Sequence, residues 1–391
     1  MGDRPVVIWG AGRIGRGFIA EVFSEPGYRL TFVDMMRPLV QRLDEAGGYT
    51  IWKATGEGLS EVRIEAYDAL HIDDGGAIMR RLLEPHPIVA AAVQASMLDA
   101  LADMLAPYIR ARAMQTPDEP MDVLLSVNQM MPDRAFYGAL ERVFSGEELA
   151  LRYVREKVGL AVTVVMRITP QTPKEYLEKD PLAVFTNGFP ELVADQKGFR
   201  GPPPALPMLR LTDRIKAEEV RKIYTLNMAH ATAAYLGLPR KFAYVKDVAA
   251  DGALGPMLRE ALEEAAVGLV GEYGFSQEEM RDWTERMLRL IENPFMRDDL
   301  LRLGADSLRK LSPDDRLVGA ARLSLKHGGT PRVIARAIAM GYLYENGDEG
   351  TRTVRRAWAE KGLAGALTEI SGLSPDEPLY PLVLGASRII P

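Results

Sequence analysis

A lysine, an asparagine and a histidine lie close together in the segment RKIYTLNMAHATAAYLG, at residues 221–237. Lys222 is a candidate base, Asn227 can donate a hydrogen bond to an oxygen that gains charge, and His230 can orient either partner. These are the groups needed to take a proton from a carbohydrate hydroxyl. On a regular α-helix, Lys222 and His230 lie about 80° apart, and Asn227 about 60° beyond His230. All three can therefore border one pocket, with Asn227 at its rim.

The same three residues also fit a helix without any catalytic role. An exposed lysine, an asparagine on the helix face and a histidine satisfied within the core are ordinary features of a surface helix. A catalytic interpretation therefore needs support from a second feature of the chain.

That second feature is a glycine-rich turn in VVIWGAGRIGRGF, at residues 6–18. Three glycines in GxGxxG spacing follow an apolar strand and begin a helix, which is typical of a dinucleotide-binding turn. We expect the phosphates of the dinucleotide at the N-terminus of this helix, where backbone N–H groups attract anions. The residues predicted to contact the cofactor here are Gly10, Gly12, Arg13, Ile14 and Gly15.

Asp34 ends the next predicted strand, 19 positions after Gly15. A carboxylate there accepts hydrogen bonds from ribose hydroxyls and repels a 2′-phosphate, so it favours NAD over NADP. The nearby Arg37 weakens this preference. The alternative is a glycine turn that only packs a helix on a sheet, with Asp34 solvated. A nucleotide-binding turn together with a Lys/Asn/His helix predicts hydride transfer at an alcohol carbon.

Short apolar runs alternate with amphipathic segments in the first part of the chain, which predicts a parallel, doubly wound sheet. The predicted strands are residues 5–9, 30–33, 88–93, 123–127 and 158–168, and the predicted helices between them are residues 14–23, 39–45 and 97–109. After a Pro/Gly connector that begins near Gly198, the pattern is helical throughout. We therefore predict an α/β fold: an N-terminal Rossmann-type, doubly wound, mostly parallel sheet in residues 1–200, followed by an all-α C-terminal domain in residues 201–391.

Local signals predict several helices in the second half. Residues 218–236 and 256–273 are long amphipathic stretches, and Ser276 with Glu279 forms a capping box before another helix. The pairs at residues 312–313 and 330–331 each combine an N-cap residue with a first-turn proline, which predicts two more helix starts.

Composition excludes several classes of function. The chain has 391 residues, a net charge of −6 and no cysteine. The negative charge argues against nucleic-acid or membrane-surface partners, and the lack of cysteine rules out disulfides and cysteine-ligated zinc. No apolar run approaches the ~20 residues of a membrane helix, and the N-terminus lacks a signal pattern. We expect a cytoplasmic enzyme with a small-molecule substrate and no metal.

Residues 221–237 resemble the signature helix of the polyol-specific long-chain dehydrogenases, in which K-x4-N-x2-H carries catalysis. Other blocks are similar to the same family and occur in the family's order along nearly the whole chain: GAGRIGRGFIAEVF, TFVD, DPLAV and NPFMRDDLLRLGADSLRKLSPDDRL. The resemblance implies reversible, NAD-dependent oxidation of a sugar alcohol. The expected pair is D-mannitol 1-phosphate and D-fructose 6-phosphate, and the expected state is a monomer.

The resemblance also implies roles for individual residues. Uncharged Lys222 takes the hydroxyl proton as hydride passes to the nicotinamide, Asn227 stabilises the oxygen, and His230 holds substrate or lysine in place. Arg309 and Lys310 match a basic pair that faces the substrate. Arg316 is a weaker third candidate for hydroxyl or phosphate contacts. The three cations fit equally well as ordinary helix-end residues beside Asp314 and Asp315.

Two positions depart from the family pattern. After the fifth strand the family has an asparagine that joins the oxyanion site, where this chain has Gln129, with Asn128 one position earlier. The family carries an aspartate before Arg-Ile-x-Pro, where this chain has Met166. These changes leave open another polyol or sugar acid, such as mannitol/fructose or altronate/tagaturonate. They also leave open a regulator that binds NAD or a sugar phosphate without turnover.

Two other dehydrogenase classes fit less well. Tyr153 and Lys157 form the YxxxK motif of short-chain dehydrogenases, but those enzymes use a differently spaced glycine turn. A zinc alcohol dehydrogenase is excluded by the missing cysteines and the scattered histidines.

Overall fold

The structure, a computed structural model, describes residues 3–387. The chain divides into two compact units, Met1–Glu219 and Val220–Pro391. None of the helices in the described part combines the length and the hydropathy of a membrane span.

Every strand in the described residues lies in the first unit. Their bounds are β1 (Arg4–Trp9), β2 (Tyr28–Asp34), β3 (Gly48–Thr55), β4 (Gly58–Glu65), β5 (Tyr67–His71), β6 (Ile88–Ala91), β7 (Met121–Leu125), β8 (Val158–Val165), β9 (Val184–Thr186), β10 (Leu192–Asp195) and β11 (Leu209–Thr212). The helices of this unit are a π-helical turn (Gly15–Ile19), α1 (Ala20–Val22), α2 (Arg37–Ala46), α3 (Gly75–Leu82), α4 (Leu98–Gln115), α5 (Pro132–Val143), α6 (Glu148–Lys157) and α7 (Lys174–Leu177).

Eight strands form one sheet in the order β11-β10-β8-β7-β6-β1-β2-β5. All neighbours are parallel except β10, which runs antiparallel to β8. Successive residues of β1 point to opposite faces: Val7 and Trp9 enter one hydrophobic cluster, and Val6 and Ile8 enter the other. A strand buried on both faces needs a continuous apolar run, which is the pattern seen in the sequence. The predicted Rossmann-type, doubly wound sheet is confirmed.

A second sheet, in the order β4-β3-β9, was not predicted. β3 and β4 form an antiparallel hairpin, and β9 lies parallel to β3. β4 is largely exposed, so it lacks the apolar run that marks the strands of the main sheet. This sheet packs closely on the first helix, since a Cβ at Gly17 would lie 2.5 Å from Val184 Cγ1.

The main sheet differs from the prediction at its far end. β8 ends at Val165, so the segment predicted as strand up to residue 168 leaves the sheet early. There the buried Arg167 donates from Nη1 to Glu21 Oε2 at 2.7 Å, and its guanidinium lies 4.6 Å from the Phe18 ring. β11 follows the Pro/Gly connector and pairs with β10, so the sheet continues beyond the predicted boundary near residue 200.

The second half of the chain is helical. The helices are α8 (Ile215–Lys222), a π-helical turn (Ile223–Asn227), α9 (Met228–Gly237), α10 (Val245–Ala250), α11 (Leu254–Tyr273), α12 (Gln277–Ile291), α13 (Leu300–Gly304), α14 (Ser307–Lys310), α15 (Val318–Lys326), α16 (Arg332–Gly341), α17 (Glu349–Ser371) and α18 (Leu379–Ser387). These elements confirm a largely helical C-terminal region.

Three predicted features of these helices have different outcomes. The capping box of α12 is confirmed, because Ser276 and Glu279 each bond the other's backbone N–H. The helix start predicted at residues 312–313 is wrong: the Asp315 N–H donates to Ser312 O in a turn, and α15 begins only at residue 318. At residues 330–331 the start is displaced by one position, because Pro331 has a non-helical ψ of 70° and is itself the N-cap residue.

Candidate active site

The glycine-rich turn follows β1, and its three glycines have different surroundings. Gly10 has φ of 102°, and a Cβ there would lie 2.6 Å from Ala92 O. A Cβ at Gly15 would lie 2.0 Å from Gly10 O, so the helix could not approach the strand. At Gly12, by contrast, no atom of the described residues lies within 4 Å of an added Cβ. The first and third glycines are therefore required by the protein's own packing, and the second faces space open to a ligand.

Asp34 holds this turn in place. Its Oδ2 accepts a hydrogen bond from Ala11 N–H at 2.7 Å, and its Oδ1 accepts one from Met36 N–H at 2.9 Å. Each carboxylate oxygen has two lone pairs, so each keeps one acceptor position for a further donor. Two neighbouring hydroxyls of a ribose supply such donors. The residues at the end of β2 therefore fit a dinucleotide with an unmodified ribose.

The helix after the turn begins irregularly. Ile14 is the N-cap residue of the π-helical turn, which has no acidic residue in its first turn, and the Ala20 N–H bonds Gly15 O. Arg16 donates from Nε to Ala11 O at 2.8 Å, which ties the helix back to the turn. The neighbouring Arg13 is exposed. An N-terminus without a carboxylate suits an anionic ligand.

The residues after Asp34 contact the turn that follows β5. Arg37 is ion-paired with Asp73, and both side chains are largely exposed. His71 Nε2 lies 3.0 Å from Met35 O, and the Asp73 N–H donates to His71 Nδ1. Arg37, whose positive charge weakened the predicted preference for NAD over NADP, is therefore already paired with a carboxylate.

Asn128 and Gln129 follow β7. Because β7 is parallel to β6, which is parallel to β1, these residues lie at the same edge of the sheet as the glycine turn. Asn128 is exposed and Gln129 is half-buried. In open α/β sheets this edge, at the carboxyl ends of the strands, is where ligands bind.

In the second unit, the structure corrects the geometry expected for Lys222, Asn227 and His230. The predicted continuous α-helix is interrupted by one π-helical turn, whose N-cap residue is Lys222 and whose last residue is Asn227. The Met228 N–H bonds Ile223 O, five residues earlier. Across such a turn residues i and i+5 are one turn apart, so Asn227 stacks along the helix next to Lys222 and not about 140° away. His230 follows one α-helical turn later.

His230 is buried and faces a carboxylate that the sequence did not single out. Its Nε2 lies 4.0 Å from Asp298 Oδ2. Asp298 is 4% exposed and is ion-paired through Oδ1 with Arg302, whereas its Oδ2 has no hydrogen-bond partner among the described residues. Burial lowers the pKa of His230 to about 4, against the opposing effect of Asp298. His230 is therefore neutral near pH 7.

The three predicted basic residues have different environments. Arg309 is about half exposed and pairs with Asp306 and Asp315. Lys310 is buried, and its Nζ donates to the backbone carbonyls of residues 303 and 305, at the end of α13. Arg316 is also buried and donates from Nε to Asp315 at 2.6 Å. Burial, with Arg316 and Arg309, lowers the pKa of Lys310 to about 7. Lys310 and Arg316 also act electrostatically on His230, so these two belong to its surroundings.

The depressed pKa of His230 predicts a loss of stability in acid. Between about pH 6.5 and 4 the unfolded chain binds a proton at this residue that the folded chain does not, so stability falls as pH falls. Between pH 7 and pH 5, His230 should lower the free energy of unfolding by about 2 kcal/mol. His230→Gln should remove that part of the pH dependence. Urea unfolding of both proteins at the two pH values measures the difference, and parallel pH dependences would contradict the assignment.

Comparison with known proteins identifies two family domains. Residues 4–208 match the mannitol dehydrogenase Rossmann domain, and residues 214–361 match the mannitol dehydrogenase C-terminal domain. The chain is 30% identical over 386 residues to mannitol-1-phosphate 5-dehydrogenase of Phaeosphaeria nodorum, covering 98% of this chain and 97% of that protein. It is 29% identical to mannitol-1-phosphate 5-dehydrogenase of Caldanaerobacter subterraneus, covering 95% and 94% of the two chains.

Solved structures show the same fold. D-sorbitol dehydrogenase in substrate-free form superposes with a TM-score of 0.80 at 17% identity, over 100% of this chain and 93% of that one. Pseudomonas fluorescens mannitol 2-dehydrogenase, in a ternary complex with NAD and D-mannitol, superposes with a TM-score of 0.73 at 16% identity, over 99% and 92%. The resemblance to polyol-specific dehydrogenases noted in the sequence is confirmed, and the chain belongs to the mannitol dehydrogenase family.

Proposed function

We propose that this protein catalyses the reversible, NAD-dependent oxidation of D-mannitol 1-phosphate to D-fructose 6-phosphate. The observation that carries the proposal is the π-helical turn that stacks Lys222 and Asn227 on one helix, with the buried His230 one turn later. The family and the names of the relatives support the reaction and the substrate. As part of the proposal, residues 1–200 bind the cofactor, residues 201–391 supply the base, and the chain works as a cytoplasmic monomer.

In this mechanism the residues of the helix handle the proton. Uncharged Lys222 accepts the hydroxyl proton on Nζ, and the Asn227 amide donates a hydrogen bond to the oxygen as its charge rises. Neutral His230 positions the substrate or the lysine without adding a charge. When bound, NAD supplies the acceptor for the hydride that leaves the alcohol carbon. The carbon loses a hydride and the oxygen a proton, which leaves a ketone.

The remaining contacts follow from charge and position. Asp34 binds the ribose diol of NAD through its two remaining acceptor positions, and the glycine turn receives the pyrophosphate. Lys310 and Arg316, near His230, are the proposed phosphate contacts, with Arg309 at the exposed margin. Asn128 and Gln129, at the carboxyl edge of the sheet, are proposed to donate to substrate oxygens.

Lys222→Ala tests the base. We expect kcat for polyol oxidation to fall by about 10²–10⁴-fold, the range for loss of a general base, with NAD affinity nearly unchanged. Stopped-flow measurement of NADH formation and equilibrium NAD titration provide the two values. Lys216→Ala, an exposed lysine of the same helix, is the matched control and should retain full activity. Retained activity in Lys222→Ala would remove this residue from the mechanism.

Asp34→Ala tests cofactor choice. Losing hydrogen bonds to a carboxylate should weaken NAD binding roughly 10- to 100-fold and reduce discrimination against NADP. Asp34→Asn is the control, because its amide oxygen can still accept from Ala11 N–H, while the charge and the bond from Met36 N–H are lost. It should disturb the turn less than Asp34→Ala does and still improve binding of NADP relative to NAD. Fluorescence titration measures the dissociation constants for NADH and NADPH. If their ratio is the same in both variants as in the wild type, Asp34 is excluded from the site.

A comparison of substrates separates the remaining alternatives. Mannitol 1-phosphate, mannitol and altronate are offered at equal concentration with NAD, and steady-state NADH formation is recorded. We expect kcat/KM for the phosphorylated polyol to exceed that for mannitol by at least about tenfold, the effect of one charge-assisted contact. Preference for an unphosphorylated substrate would contradict the phosphate contacts. Tight NAD binding without turnover of any substrate would favour a regulator.

A further inference from the structure

A π-helical turn inside an α-helix needs something to hold it, and here the surrounding side chains do so on both sides of Lys222. Such turns are rare, usually occur singly, and are frequent at functional sites. In this chain the turn sets the register of the proposed base relative to Asn227. Any group that stabilises the turn therefore controls the alignment of the two side chains.

The first contact is a buried relay of hydrogen bonds. The Thr225 hydroxyl, in the middle of the turn, donates to Arg221 O at 2.5 Å. The Trp283 indole N–H, from α12, donates to Thr225 Oγ1 at 2.9 Å. Thr225 is 0% exposed and Trp283 is 5% exposed. Removing one partner would leave a buried polar group unsatisfied, so the indole N–H fixes the position of the Thr225 hydroxyl within the turn.

The second contact uses the face of the same tryptophan. The Arg221 guanidinium lies 3.9 Å from the centre of the Trp283 ring and 4.6 Å from the Phe275 ring. The ring face thus fixes the residue immediately before Lys222, and the ring N–H fixes the residue three positions after it. The capping box at Ser276 anchors the start of the helix that carries Trp283.

We propose that Thr225 and Trp283 are positioning residues that hold the π-helical turn and thereby align Lys222 with Asn227. The inference rests on the proposed function for its effect on catalysis. If the turn relaxed to a regular α-helix, the two side chains would separate by about 140° around the axis.

Two substitutions that remove one hydrogen-bonding group each test the relay. Thr225→Val removes the hydroxyl at nearly constant volume, and Trp283→Phe removes the indole N–H while keeping an aromatic face over Arg221. Both should lower kcat by roughly 10- to 100-fold, the effect of misplacing a catalytic group by about 1 Å. The KM for the polyol and the affinity for NAD should stay close to wild type. Thr225→Ser, which keeps the hydroxyl, should restore most of the rate.

The control is Thr232→Val, in α9, which directly follows the π-helical turn. Thr232 is also 0% exposed, and its hydroxyl donates to Met228 Sδ at 3.4 Å, away from the π-helical turn's relay. It should reproduce any general loss of thermal stability without the loss of kcat. The deuterium isotope effect on hydride transfer should rise in Thr225→Val as that step becomes limiting, and a purely structural role would not change it. Wild-type kcat in Thr225→Val, or equal losses in the valine and serine variants, would overturn the proposal.

Hydrogen exchange tests the same proposal independently of activity. The peptide covering residues 222–228 should exchange faster in Thr225→Val than in wild type or Thr225→Ser, because its backbone bonds become less stable. If the wild type oxidises no polyol, the proposed function fails while the exchange result still decides the inference. If the wild type is active but exchange in Thr225→Val is unchanged, only the inference fails.

Discussion

Polar side chains on one helix act on the same ligand only when the helix register brings them to one side. Lys222 and Asn227 are five residues apart. On a regular α-helix their side chains would lie about 140° apart around the axis, whereas a π-helical turn places them about one full turn apart. Asn227 and His230 are three apart, an interval that an α-helix closes by itself. One π-helical turn followed by one α-helical turn therefore narrows the arc that the three residues occupy around the helix axis.

In the first unit, steric contacts hold a second π-helical turn. The glycine turn also leads into a π-helical turn, but close backbone contact holds it: the space for a Cβ at Gly15 is taken by Gly10 O. Asp34 then ties the turn to the end of β2 through Ala11 N–H. Both π-helical turns of the described residues lie in segments with proposed functions, whereas α12 begins with an ordinary capping box. Local departures from regular structure are expected where function sets the geometry.

The sequence predicted those features that neighbouring residues determine, and it missed those that tertiary contacts determine. β1, β2, β6 and β7 are buried on both faces, so their apolar runs identified them, and the glycine turn has its own local pattern. The exposed hairpin β3–β4 gave no such run. The π-helical turn was missed because its partner Trp283 lies 58 residues from Thr225 along the chain. Asp298 was overlooked for the same reason, since its contact with His230 is a tertiary one.

The basic residues show how tertiary partners decide what a predicted charge can do. Arg309 is balanced by Asp306 and Asp315 at the surface, so its charge is largely screened. Lys310 is different, because burial and the neighbouring arginines hold its pKa at about 7. Its Nζ contacts the carbonyls of residues 303 and 305, so an anion near it would add a charged partner. A phosphate dianion supplies such a partner and an uncharged polyol does not, so in the proposed function a contact with Lys310 favours the phosphorylated substrate.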